Sequence, residues 1–285
     1  MTIYISTGGY SKVSADKTSE ELISCGINDI ELSGGTYSDD LVENLKKLKN
    51  KANFQVHNYF PPPKIPFVLN LASQDKDISQ LSINHIYNAI DCCEKLESKY
   101  FSFHAGFLCD IKPNELGKKI LKRKLYNRNK SIDLFLERID LIAKKAKEKD
   151  IKIMIENNVF SQENKKEFEE NPLLMCDSES CIEIINQTPE NVQLLLDVAH
   201  LKVSANTLAF DPIEMLKDCK DYIGGYHLSE NNGLSDTNEP FSDNAWFFDH
   251  LRPDLNYYSI EVYNQSVNKI KNLKNILANH INKKS

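Results

Sequence analysis

Four short apolar runs in the sequence each end in a residue that can bind a metal ion. The runs cover residues 153–156, 194–197, 225–227 and 258–261, and their last residues are Glu156, Asp197, His227 and Glu261. Apolar runs of this length, bounded by polar residues, are typical of buried parallel strands, and the ligands of such sheets gather at the carboxyl ends of the strands. The pattern therefore predicts two glutamates, an aspartate and a histidine around one point.

Strand-like and helix-like segments alternate along the chain. The strand candidates are residues 3–6, 29–32, 54–57, 100–104, 151–156, 192–197, 223–228 and 258–262, and amphipathic helical patterns cover residues 38–51, 79–96, 131–149 and 265–281. Such alternation is compatible with an open doubly wound sheet or with a closed barrel. The eight candidate strands, and the lack of a glycine-rich phosphate loop after the first, favour an α/β fold of the (β/α)8 TIM barrel type, with residues 1–285 as a single domain.

The composition limits the partners of the protein. A net charge of -6 and a pI near 5.7 give no overall attraction to nucleic acid or to an anionic membrane. No apolar stretch approaches the roughly 20 residues of a membrane span, and the first residues lack the features of a signal peptide. The seven cysteines include no Cys-x2-Cys pair and are expected to be reduced packing residues. We expect a cytoplasmic protein without membrane contacts, and its oligomeric state is left open.

Four acidic or imidazole groups at neighbouring strand ends have a specific chemical consequence. Burying the carboxylates of Glu156, Asp197 and Glu261 together with His227 is strongly unfavourable unless a cation compensates their charge. A bound divalent metal resolves the conflict. Three oxygen ligands and one imidazole favour Mn2+, with Co2+, Mg2+ and Zn2+ as alternatives.

Further polar residues are expected at the same mouth of the barrel. His57 and His104 end the third and fourth strand candidates, His200 follows Asp197 by three residues, and Asp236 lies in the loop after the seventh strand candidate. These residues are candidates for substrate binding or for holding an additional metal. The remaining histidines, His85, His250 and His280, lie in helical or loop patterns and are predicted to be surface residues.

Three connecting segments remain ambiguous. Residues 58–80 contain Pro61, Pro62 and Pro63 and are expected to form a rim or lid on the active face. Residues 105–130 carry eight lysines and arginines against Asp110 and Glu115, which is typical of a solvated surface helix but also of a rim for an anionic substrate. The aromatic run 246–248 is compatible with packing or with covering a sugar ring.

The motifs resemble a known superfamily. The segments Ile155-Glu156-Asn157, Leu196-Asp197-x-x-His200, Tyr226-His227-Leu228 and Ile260-Glu261 resemble the xylose-isomerase-like TIM barrels, over nearly the whole chain. That superfamily includes sugar-phosphate isomerases and epimerases, ketose 3-epimerases, inosose dehydratases and the endonuclease IV group of AP endonucleases. The resemblance is specific for the fold and the metal site and less specific for the reaction.

The ketose 3-epimerase branch implies a metal-dependent enzyme acting on a sugar or a sugar phosphate. By this resemblance Glu156, Asp197, His227 and Glu261 bind one divalent metal, usually manganese. Glu156 and Glu261 would transfer protons on opposite faces of the substrate through an enediolate that the metal stabilises, and His200 would bind a substrate oxygen. An inosose-dehydratase-like lyase needs almost the same site.

The endonuclease IV branch implies a different reaction, phosphodiester hydrolysis at abasic sites by a cluster of three zinc ions. All of that branch's ligand positions but one are matched, by His57, His104, Glu156, Asp197, His200, His227, Asp236 and Glu261. The exception is Asn238, because a neutral amide is a poor substitute for imidazole on zinc. Acidic residues between 163 and 179 would also repel a DNA backbone. The sequence therefore favours sugar chemistry over nucleic acid.

Overall fold

The computed structural model describes residues 1–10 and 12–284, and in it the strands form one closed barrel. The strands are β1 (Ile3–Ser6), β2 (Asp29–Leu32), β3 (Asn53–His57), β4 (Tyr100–His104), β5 (Lys152–Glu156), β6 (Val192–Asp197), β7 (Ile223–Leu228) and β8 (Tyr258–Ile260). Each strand pairs in parallel with its sequence neighbours, and β8 closes the barrel on β1 through the register Tyr4 with Ser259. This confirms the predicted (β/α)8 fold.

Helices surround the barrel. Within the described ranges they are α1 (Ala15–Ser24), α2 (Leu41–Leu48), α3 (Lys76–Leu96), α4 (Arg128–Lys147), α5 (Gln162–Glu167), α6 (Ser178–Ile185), α7 (Val198–Leu208), α8 (Pro212–Asp218) and α9 (Val267–Asn282). Short 3-10 turns lie at Gly8–Tyr10, Pro113–Glu115, Lys220–Tyr222 and Phe248–His250. Among these elements no helix has both the length and the apolar composition that a bilayer crossing requires.

The helix α4 shows how the sequence pattern produces the packing. Asn127 begins the helix by accepting the N–H of Lys130 on its side chain at 2.9 Å. Phe135, Ile139 and Ile142 recur at helical spacing and are fully buried, where α4 packs on α3 and β5. The opposite face is charged and exposed, as expected for a helix that covers a sheet.

The interior of the barrel is filled below its carboxyl end. Tyr4, Met154, Leu195 and Tyr257 form a buried apolar layer inside the strands. Gly225 makes room for the ring of Tyr257, since a Cβ at this position would lie 2.8 Å from a ring carbon. Side chains above this layer therefore point into the mouth, the place where barrels of this type carry their sites.

Two long connections pack on each other above β3 to β5. Asn70, in the loop from β3 to α3, accepts the N–H of Phe107 at 3.0 Å and donates to Asp110 at 2.9 Å. A second apolar cluster, containing Phe107, Ile120 and Phe160, ties this region to the loop after β5. The predicted surface helix in the basic segment is wrong, because residues 116–127 form no helix and α4 begins only at Arg128.

Three further side-chain predictions can be compared with the structure. Phe247 and Phe248 are buried and pack on Phe241, so this part of the aromatic run serves the core. His85 was predicted at the surface, but only 7% of it is exposed, because its ring packs between Tyr59 and Phe67. The cysteines are free thiols, and all but Cys25 are buried.

Candidate metal centre

The four predicted ligands meet at the carboxyl end of the barrel. Glu156 and Asp197 are the last residues of β5 and β6, His227 lies one residue before the end of β7, and Glu261 directly follows β8. Each offers a ligand atom, and these atoms all lie within 4.8 Å of one another. We refer to Glu156, Asp197, His227 and Glu261 as the quartet.

The imidazole of His227 lies at the centre of the quartet. Its Nδ1 is 3.2 Å from Glu156 Oε1, 3.2 Å from Glu261 Oε2 and 3.9 Å from Asp197 Oδ2. Its Nε2 lies 2.9 Å from Oε2 of Glu31, a carboxylate that is fully buried on β2. An Nε2–H that donates to Glu31 leaves the Nδ1 lone pair directed at the quartet, which is the arrangement that metal-ligating histidines adopt.

Glu156 has histidines on both sides. His57 Nε2 lies 3.4 Å and His104 Nδ1 3.5 Å from its Oε2, while His200 Nδ1 lies 3.5 Å from its Oε1. Burial works against ionisation, but His104, His227 and His57 hold the pKa of Glu156 well below its usual range. His57, His104 and Glu156 thus form a second group of candidate ligands that shares Glu156 with the quartet.

The backbone around Asp197 fixes its carboxylate. Its Oδ1 accepts the N–H of His200 at 2.7 Å and so caps the start of α7. Its own N–H donates to the side chain of Asn157 at 2.7 Å. Burial raises the pKa of Asp197 to about 7, assisted by the neighbouring charge of Glu156 and opposed by His200.

His200 and Asp236 form a pair beside the quartet. His200 Nδ1 lies 2.9 Å from the carbonyl oxygen of Asn157, and its Nε2 lies 3.2 Å from Oδ2 of Asp236. In the endonuclease IV interpretation a further imidazole would stand at Asn238. The Asn238 side chain instead accepts the hydroxyl of Ser229 at 3.2 Å.

The donor set fits a divalent cation. Both oxygens of Glu156, Oδ2 of Asp197 and Nδ1 of His227 are buried and have no hydrogen-bond partner among residues 1–10 and 12–284. Buried polar atoms without partners are strongly unfavourable, and buried carboxylates even more so. A divalent metal with oxygen and imidazole ligands would satisfy all of them at once.

Sequence reasoning missed three residues beneath the quartet. Glu31, Ser102 and Tyr257 are fully buried and hydrogen-bond to the histidines or to one another. The signal for Glu31 was present, because it lies near the end of a strand candidate, as the quartet residues do. Ser102 and Tyr257 carry no such signal, since hydroxyl groups are common in strands.

Some charged residues of the basic segment (105–130) and of the acidic segment (163–179) have partners within the protein. Lys119 Nζ lies 2.6 Å from Glu167 Oε1, and Arg123 pairs with Glu115. Lys165 donates to the carbonyl oxygen of Thr207 at 2.7 Å. Part of each charged segment is therefore engaged within the protein.

A closed parallel barrel with carboxylates and imidazoles at its carboxyl end defines a TIM barrel with a candidate divalent-metal centre. Residues 20–279 match the family described as xylose isomerase-like TIM barrel, so the chain belongs to that family. No protein of curated function matches the chain significantly in sequence.

Solved structures with the same architecture include enzymes of sugar metabolism. A D-tagatose 3-epimerase-like protein is 21% identical with a TM-score of 0.74, covering 100% of this chain and 99% of that protein. D-psicose 3-epimerase from Clostridium cellulolyticum H10 is 15% identical with a TM-score of 0.63, covering 99% of this chain and 96% of that one. The IolI protein with a binding zinc atom is 14% identical, with a TM-score of 0.68 and 99% coverage of both chains. At these identities the similarity establishes the fold.

Proposed function

We propose that the protein is a divalent-metal-dependent isomerase or epimerase of a sugar or sugar phosphate. The observation that carries this proposal is the placement of two glutamates, Glu156 on β5 and Glu261 after β8, in one quartet. The strands β6 and β7 separate them around the barrel, so the two carboxylates approach a substrate from different sides. Proteins of similar structure that are named as 3-epimerases of D-psicose and of L-ribulose support the same reaction class.

Each quartet residue has a defined role in the proposal. A cation such as Mn2+, or Zn2+, Co2+ or Mg2+, would polarise the carbonyl and hydroxyl oxygens of the sugar and lower the pKa of the C–H between them. Glu156, ionised and buried, accepts that proton at a carboxylate oxygen. Glu261 faces the mouth, accepts the hydroxyl of Tyr263 on Oε1 at 3.1 Å, and exchanges a proton with the substrate through Oε2.

The residues around the quartet complete the proposed site. His200 is held by the carbonyl group of Asn157 and directs Nε2 towards Asp236, where it would bind a substrate hydroxyl. His104, whose side chain is 24% exposed, lies on the open side of Glu156. Burial lowers the pKa of His104 to about 4, so at neutral pH it is an uncharged imidazole that can bind a hydroxyl or a metal.

Proton exchange in deuterated water tests this function. The manganese-loaded protein is incubated with a panel of ketoses and sugar phosphates, and deuterium at the carbon next to the carbonyl is followed by NMR. Glu261→Gln should abolish formation of the epimer, followed in the same spectra, while the protein still binds metal, though more weakly, because a neutral amide cannot deliver a proton to the second face of the substrate carbon. Glu163→Gln, at an exposed position on α5, is the matched control and should exchange as the unaltered protein does. Continued formation of the epimer by Glu261→Gln would refute the role of Glu261.

A second candidate function is favoured by the group His57, His104 and Glu156. Two ligand groups that share one carboxylate suit a multinuclear centre, as in endonuclease IV-like phosphodiester hydrolysis. Bound metal is counted by elemental analysis after loading with zinc. About one equivalent supports the sugar reaction, whereas nearly three, with cleavage of a duplex containing an abasic site, would establish the nuclease.

A further inference from the structure

A buried chain of hydrogen bonds connects the two histidines that lie nearest to Glu156. His227 Nε2 lies 2.9 Å from Glu31 Oε2, and the hydroxyl of Tyr257 donates to the same oxygen. Ser102 Oγ lies 3.1 Å from the Tyr257 hydroxyl, and His57 Nδ1 lies 2.9 Å from Ser102 Oγ. All five residues are at most 3% exposed, so water does not compete for these bonds.

The direction of every bond in this chain follows from its carboxylate end. An ionised carboxylate has no proton to donate, so Glu31 accepts both from His227 and from Tyr257. Tyr257 has one hydroxyl proton, which is used on Glu31, and its oxygen can only accept from Ser102. Ser102 donates its only hydroxyl proton to Tyr257. Its oxygen must therefore accept a hydrogen bond from Nδ1–H of His57.

The two imidazoles therefore present opposite nitrogens to Glu156. His57 carries its proton on Nδ1, which leaves the Nε2 lone pair 3.4 Å from Glu156 Oε2. When a metal displaces the other proton, His227 keeps its proton on Nε2, and the Nδ1 lone pair, 3.2 Å from Glu156 Oε1, is free to bind the metal. Neither ring could turn over without breaking a buried hydrogen bond.

We infer that Glu31 is the positioning residue of the metal centre, and that it sets the tautomers of both His227, directly, and His57, through Tyr257 and Ser102. The inference rests on the metal centre of the proposed function but not on the sugar reaction. Partners in this outer position tune metal affinity by about 10- to 100-fold in other proteins. Here the carboxylate of Glu31 would orient a histidine in each of the two groups of candidate ligands that share Glu156.

Three variants test the individual hydrogen bonds between Glu31 and the two histidines. Glu31→Gln alters the partner of both histidines. Tyr257→Phe keeps the ring that packs on Tyr4 and Tyr100 but disconnects His57, while the contact between Glu31 and His227 remains. Tyr100→Phe is the matched control, because its ring stacks on Tyr257 with centroids 5.3 Å apart and lies outside the chain of bonds.

The tautomers are read by long-range 1H–15N correlation spectra of histidine-labelled protein, metal-free and zinc-loaded at pH 8. We expect Nδ1–H at His57 in both states and Nε2–H at His227 in the zinc-loaded state. Tyr257→Phe should change only the His57 signals, and Glu31→Gln should change both sets and weaken zinc binding, measured by chelator competition, by about 10- to 100-fold. Tyr100→Phe should change neither.

The outcomes distinguish the two proposals. An Nε2–H at His57 in the unaltered protein, or the same spectral change in Tyr257→Phe and Tyr100→Phe, would overturn the inference. Failure to take up zinc or manganese would instead overturn the metal centre, and the metal-free spectrum of His57 would still decide the direction of the chain. Melting curves of each variant confirm that the spectra report on folded protein.

Discussion

The Cα of Gly8 and the carboxylate of Glu261 are so close that a Cβ at residue 8 would lie 2.8 Å from Glu261 Oε1. Real Cβ atoms do not approach an oxygen this closely, so Gly8→Ala must displace the carboxylate. We expect metal affinity, measured by titration calorimetry, to fall about tenfold and proton exchange to fall about 100-fold, since misplacement by about 1 Å has effects of this size.

Gly34→Ala is the control for this substitution. Gly34 lies on the neighbouring loop, and its added Cβ would make an ordinary contact of 3.6 Å with Gly8 Cα. This variant should bind metal and exchange protons nearly as the unaltered protein does. Equal losses of metal affinity and proton exchange in the two variants would show that a change in the glycine-containing loops, rather than the lost space beside Glu261, causes the effect.

Asn70 is expected to be the most sensitive loop residue for stability. Its Oδ1 accepts the N–H groups of Ala72 and Phe107, and its Nδ2 donates to Phe107 and Asp110, all within 3.1 Å. Asn70→Ala leaves several buried groups unpaired, at about 1–3 kcal/mol each, and should destabilise the fold by at least about 3 kcal/mol. Urea unfolding measures the loss. Asn84→Ala, on the exposed face of α3, is the control and should change the free energy of unfolding by less than about 0.5 kcal/mol.

The barrel was predictable because strand pairing in this fold is local in sequence. The runs at 100–104, 192–197 and 223–228 coincide with β4, β6 and β7, since each is a short, mainly apolar segment of the length of a strand. The basic segment could not be predicted in the same way. Its conformation depends on contacts with other parts of the chain, such as the hydrogen bond from Ile120 N–H to the side chain of Asn164 on α5 at 2.8 Å. The periodicity of the sequence does not reveal such contacts.

The convergence of the quartet was predictable for the same reason, because all carboxyl ends of a parallel barrel meet at one mouth. The buried residues beneath the quartet could not be predicted. Tyr257 directly precedes β8, and its hydroxyl reaches Glu31 on β2 and Ser102 on β4 only because the barrel closes. Whether a buried polar group is a ligand or supports one depends on distances that the sequence does not contain.

Metal binding should release protons and strengthen as the pH rises. In the metal-free protein the pKa of Asp197 is raised to about 7, chiefly by burial, and the surrounding carboxylates raise that of His227 despite its burial. A cation must displace these protons, so below about pH 7 the affinity should rise about tenfold per pH unit from Asp197 alone. Calorimetry in buffers of different ionisation enthalpy counts the protons. Asp211→Asn, which alters an exposed helix cap, should keep this slope, and an affinity that is flat from pH 6 to 8 would contradict the prediction.

His85 should make the fold sensitive to mild acid. Burial lowers its pKa, and the hydrogen bond to the carbonyl oxygen of Asn58 only partly opposes this shift. The unfolded chain therefore binds this proton more readily, so stability is present above the unfolded pKa of about 6.5 and is lost as the pH falls below it. Between pH 7.5 and 5.5 the unaltered protein should lose about 1 kcal/mol more than His85→Gln, measured by urea unfolding. Other titrating groups, Asp197 included, are common to both proteins and cancel in this difference. Equal losses in the two proteins would show that His85 is charged in the folded state.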